Sequence, residues 1–95
     1  MLKVKVRNME GRNGNSVPNQ FVIETDEGDY FQSYKSIIAF IPSFECNDQV
    51  AVYLDRNKWD YSVTTGRYRN QFLGETKKET QDRIDGGEYA LVDLN

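Results

Sequence analysis

The chain has 95 residues, with twelve Lys and Arg against fifteen Asp and Glu, a formal charge of −3. That length holds a single domain, residues 1–95, and its 38% hydrophobic and 13% aromatic content suffices for a packed core, which excludes wholesale disorder. There is no histidine, so the commonest metal ligand and general base are missing, and the single cysteine, Cys46, can form no internal disulfide.

In chain order, Leu2-Lys3-Val4-Lys5-Val6 alternates and predicts a strand with one buried face. It carries no apolar signal-peptide core, and no apolar run approaches the roughly 20 residues that span a bilayer, so a cytoplasmic protein without membrane contact is expected. Asn8 to Asn19 is rich in Gly, Asn and Ser and predicts a mobile loop. Gln20 to Thr25 predicts a second strand, Asp26-Glu27-Gly28-Asp29 a hairpin connection with Gly28 at positive φ, and Tyr30 to Tyr34 the returning strand. Ser36 to Ile41 is a continuous apolar run ended by Pro42, expected as a buried strand or as one or two helical turns. Gln49 to Leu54 predicts another strand, buried through Val50, Val52 and Leu54 or through the opposite set.

Trp59-Asp60-Tyr61-Ser62 follows as a short strand or an extended lead-in. Thr64 or Thr65 is expected to cap a helix running through Phe72, with Tyr68 and Phe72 on one face and Gly74 as its stop. Thr76-Lys77-Lys78-Glu79 has the spacing of a capping box, predicting a second helix to about Asp85 before Gly86-Gly87. Glu88 to Leu94 closes the chain as a strand. The pattern predicts an α+β domain: a mainly antiparallel sheet of five or six strands with two short helices near the C-terminus.

Little here suits catalysis. Cys46 lies between Glu45 and Asp48, whose charges disfavour a thiolate, and no Ser-x-x-Lys or Gly-rich phosphate loop occurs. The one dense acidic cluster, Asp26 to Asp29, is too short for a calcium loop and reads as a turn. Neither an enzyme, a metal nor a cofactor is expected. Charge comes in blocks: net +3 over residues 1–12, −6 over 13–55, +3 over 56–74 and −3 thereafter. Such blocks suit faces that pair with one another, or one basic face turned to nucleic acid or an acidic partner. The richest stretch is Trp59 to Gly74, where aromatics, hydroxyls and two arginines gather at a helix start. There the side chains either pack, cap and pair with acids, or engage an anion, a base or a partner. The partner-binding candidates are Trp59, Tyr61, Thr64, Thr65, Arg67 and Arg69, with the aromatics as anchors and the arginines as charge-assisted donors.

Val17-Pro18-Asn19-Gln20-Phe21, Thr25-Asp26-Glu27-Gly28, Phe31-Gln32-Ser33-Tyr34, Ser36-Ile37-Ile38-Ala39 and the block from Trp59 to Gly74 resemble small uncharacterised proteins of tailed phages and prophages of Gram-positive bacteria. In those relatives the last block looks like Trp-x-Tyr-Ser-x-Thr-Thr-x-Lys-His-x-x-x-Phe-Leu. Trp59, Tyr61, Ser62, Thr64, Thr65, Phe72 and Leu73 match it, Arg67 stands for the Lys and Tyr68 for the His. The resemblance implies a phage or mobile-element origin and carries no activity with it. The expected function is that of a non-enzymatic phage-type accessory protein binding a host or phage protein, such as a host defence or regulatory factor. The alternative is a nucleic-acid-binding module using the same block with Lys3, Lys5 and Arg7. A third reading, a structural component of virion or replisome, predicts a homodimer formed through exposed sheet edges.

Overall fold

Alternation and turn chemistry build the sheet. The computed structural model describes residues 3–43 and 50–95; Leu2, Cys46 and Gln49, on which expectations above fall, lie outside the described residues. The elements run β1 (Val4–Glu10), β2 (Ser16–Thr25), β3 (Gly28–Ser33), β4 (Ser36–Pro42), β5 (Val52–Asp55), α1 (Val63–Leu73), α2 (Lys77–Asp85) and β6 (Tyr89–Val92). The six strands form one sheet in sequence order, antiparallel except for the parallel pair β5–β6. The fold is thus α+β, with both helices inside the crossover that a parallel pair requires.

The expected mobile loop from Asn8 to Asn19 is mostly strand. Only residues 11–15 connect β1 to β2, closed by Gly11 N–H donating to the Asn15 carbonyl at 2.9 Å. At the next hairpin Asp26 and Glu27 form the turn, while the Thr25 hydroxyl accepts from the Glu27 and Gly28 amides and donates to the Gly28 carbonyl. Gly28 has φ 146°, and a Cβ there would lie 2.2 Å from the Ile41 carbonyl oxygen, so only glycine lets β3 approach β4 this closely.

The register sorts side chains onto two faces. Val22, Phe31, Ala39 and Leu54 lie opposite one another on the inner face, and they are core residues with Met9, Ile38, Val52 and Tyr89. A bulge between Phe31 and Gln32 lets the consecutive Ile38 and Ala39 both be fully buried. The helices cover this inner face: Phe72 of α1 stacks on Phe31 at 5.7 Å, and Thr65 shares a 2.8 Å hydrogen bond with Ser33. Glu75, between the helices, accepts from Thr80 of α2 and, at 2.6 Å, from the Tyr89 phenol of β6. The shortest dimension of the molecule, 22 Å, suits these two layers.

On the outer face the register aligns Val6, Ile23, Tyr30, Phe40, Tyr53 and Ala90 in one row. Flanking rows run Val4, Thr25, Gly28, Pro42 and Asn8, Phe21, Gln32, Ile37. This corrects the expectation for the first strand. Val4 and Val6 are 62% and 58% exposed, because they point away from the helices, and Met9 is the residue of β1 that enters the core.

Candidate functional site

The block from Trp59 onward begins with a turn organised by Asp55. The Asp55 carbonyl accepts from the Lys58 and Trp59 amides at 3.2 and 3.0 Å, and its carboxylate accepts from the Asn57 amide at 3.2 Å and the Leu94 amide at 2.9 Å. Burial pushes the Asp55 carboxyl upward, but these hydrogen bonds outweigh it and hold the group below its ordinary value. Residues 56–60 are therefore turns and Tyr61 a bend, so no strand forms there. Ser62, with φ −152°, caps α1 by accepting from the Thr65 amide at 3.1 Å, so the cap lies ahead of the expected Thr64 or Thr65. Gly74 at φ 70° ends the helix, and Thr76 and Glu79 form the capping box that starts α2. This stop and this start are where the sequence placed them.

Of the six candidates, the structure brings four to the surface or near it and buries two. Tyr61 is 45% exposed, with Lys58 Nζ 5.2 Å from its ring centroid. Thr64 and Arg67 are exposed on α1, and Trp59 is half-buried against the core. Thr65 is fully buried, its hydroxyl spent on Ser33. Arg69, only 1% exposed, donates to the Trp59 carbonyl, approaches Asp60 Oδ1 at 3.4 Å and donates to Asn70 Oδ1 at 3.0 Å. Its guanidinium also sits 5.1 Å from the Trp59 ring centroid. It packs beside Gly66, where a Cβ would lie in ordinary contact with the Arg69 nitrogens at 3.6 and 3.7 Å. Thr65 and Arg69 are thus buried and offer a partner no direct contact: Thr65 ties α1 to β3, and Arg69, expected as a donor to a partner, instead fastens the Trp59–Asp60 turn to α1.

Asp60 is shared, since Lys77 of α2 reaches its other oxygen at 2.7 Å. Above these residues lies an open depression of about 610 Å³, lined by Tyr61, Val63, Arg67 and Lys77 among others. Val63 is 83% exposed beside Tyr61. A second depression of about 470 Å³ is lined by Arg12, Arg67, Tyr68 and Gln71. It forms because Gln71 donates to the Glu10 carbonyl at 2.9 Å, tying α1 to the β1–β2 connection. Arg67 therefore stands on a ridge between the two. The sequence reading missed Lys58, Arg12, Val63 and Lys77. Lys58 adjoins the chosen block and Val63 lies within it, whereas Arg12 and Lys77 arrive by tertiary contacts that no local pattern encodes.

The other cluster of polar groups is Glu75, Tyr89 and Arg83, with Arg83 Nε 3.4 Å from the Glu75 carboxylate. Burial, then the Glu75 carboxylate, push the Tyr89 phenol well above its ordinary range. A phenol so firmly protonated donates a hydrogen bond and joins β6 to the helices; it is no base. Among the described residues, no three potential metal ligands cluster, and no helix is long and apolar enough to cross a membrane. The family model described as a family of unknown function, DUF8033, matches residues 4–87, and the chain belongs to that family. No curated protein and no solved structure matches it.

Proposed function

We propose that this DUF8033 member is a non-enzymatic, phage-type accessory protein that binds a host or phage protein in the host cytoplasm, a host defence or regulatory factor being the class that fits first. The reading draws on the resemblance of the block from Trp59 to Leu73 to phage and prophage proteins. One observation carries it: Tyr61 and Val63 are exposed side by side, with Lys58, Arg67 and Lys77 close to them, on a support fastened by buried Arg69. An aromatic and an aliphatic side chain flanked by cations suit a partner offering an apolar contact rimmed by acids. Tyr and Arg are the residue types that most often dominate such contacts.

The second reading, nucleic-acid binding, is favoured by Arg12 and Arg67 meeting at one depression, with Lys5 and Arg7 exposed on β1 and Lys3 exposed just before it. A pull-down from host lysate with and without nuclease, comparing wild type with Tyr61→Ala/Arg67→Ala, separates the two. A discrete protein that survives nuclease and is lost in the double variant supports the first reading. Recovery of nucleic acid alone, weakening steeply between about 50 and 200 mM salt, replaces it with the second.

A further inference from the structure

An antiparallel sheet with one face packed and one in water ordinarily turns polar side chains outward. The paired rows of this sheet turn few polar and no charged side chains outward. Its outer central row is Val6, Ile23, Tyr30, Phe40, Tyr53 and Ala90, in which the Tyr30 and Phe40 rings stack at 4.3 Å and the Phe40 and Tyr53 rings at 6.2 Å. The two flanking rows hold no charged residue either, in a chain of which 28% is charged. Asp55, which follows Tyr53 by alternation, is 2% exposed and bonded to backbone amides.

We propose that this face is a homodimer interface, two copies of the chain meeting outer face to outer face. Charge favours that occupant. A two-fold contact sets each patch against itself, so like-charge repulsion is its first obstacle, and these rows bring no charge to repel. A nucleic acid would need cations for its phosphates, and Lys5 and Arg7 alternate with Val4 and Val6 onto the opposite side of β1. Area sets the strength. Strands about 4.8 Å apart and rows about 6.6 Å apart give a footprint on the order of 500 Å² per copy and 1,000 Å² per pair, the lower limit for a specific interface. The dimer is accordingly placed among the weak, transient interfaces. Both helical layers stay on the outside, so the dimer offers two copies of the Tyr61–Arg67 surface and does not depend on what that surface binds.

Sedimentation velocity across about 5 to 500 μM tests this. The expected result is a concentration-dependent shift from monomer to dimer in the wild type. Val6→Glu and, separately, Val4→Glu weaken it at least about tenfold while circular dichroism keeps its native spectrum, since both positions are exposed. Arg67→Ala dimerises as the wild type does. A monomer at every concentration overturns the proposal, as does a dimer indifferent to both glutamates. Nucleic acid that copurifies with the wild type and is lost in Val6→Glu overturns it in favour of bases stacked on the aromatic row.

Discussion

Replacing Arg69 by Ala removes the side chain that fastens the Trp59–Asp60 turn to α1. The loss comprises the bonds to the Trp59 carbonyl and to Asn70 Oδ1, the 3.4 Å approach to Asp60 and the stacking on Trp59. Breaking a buried charged contact typically costs about 3–5 kcal/mol, but Asp60 keeps Lys77 at 2.7 Å and is not stranded, so the lower end applies, about 3 kcal/mol. For a domain whose total stability is about 5–15 kcal/mol, this lowers Tm by roughly 12–24 °C. Arg69→Lys recovers only part, because one ammonium cannot reproduce a fork that serves the Trp59 carbonyl and Asn70 together. Arg67→Ala, at an exposed position, stays within about 0.5 kcal/mol of the wild type. Urea denaturation with calorimetry reads all three. An Arg69→Ala variant within about 1 kcal/mol of the wild type would refute the assignment of Arg69 as a structural fastener.

Three further outcomes follow from particular contacts. The Asp55 carboxyl is held below its ordinary value in the folded chain, so it stabilises the fold above its unfolded pKa of about 3.9 and that contribution disappears as pH falls through the lower folded value. Asp55→Asn should therefore cost stability at pH 7 and much less in strong acid, read from urea midpoints across pH; an equal cost at both ends contradicts the hydrogen-bond account. Gly28→Ala must place a Cβ 2.2 Å from the Ile41 oxygen at φ 146°, so a loss of about 3 kcal/mol or more is expected in thermal unfolding, and a near-neutral variant would dismiss the close approach. Asp29 faces Glu24 across the β2–β3 pair, and burial followed by that charge raises its pKa. Its ionised form thus weakens the fold above the folded pKa and the penalty vanishes in acid; Asp29→Asn should add about 0.5 kcal/mol at pH 7 and nothing near pH 3, and an unchanged Tm at pH 7 would contradict it.

Local chemistry explains what was legible in the sequence. Thr76 and Glu79 cap α2 by mutual hydrogen bonds within four residues, and Gly74 ends α1 with a left-handed turn of its own. Ser36 to Ile41 reads as a strand because its apolar run is short and ends at Pro42. What stayed illegible depends on distant partners. Nothing in Leu2 to Val6 says that the helices lie on the other face of the sheet, so its valines look like core. Ser62, and not Thr64 or Thr65, is the cap, and the Thr65 hydroxyl is shared instead with Ser33, thirty-two positions away. Arg69 reads as a surface donor because arginine is seldom buried; its burial needs a turn that folds back to offer the Trp59 carbonyl. The same contacts bring Lys77 to Asp60, and Gln71 brings Arg12 beside Arg67, so the cationic surface is assembled by the fold and not by spacing.

The most direct test of the binding surface is a titration of the captured partner against wild type and against Tyr61→Ala/Arg67→Ala, with the Tm of both chains measured in the same buffer. The account expects affinity to fall at least about tenfold while Tm stays within a few degrees, because both side chains are exposed and neither holds the fold. Equal affinity for the two chains, or a loss that follows a fall in Tm, would contradict the assignment of this surface.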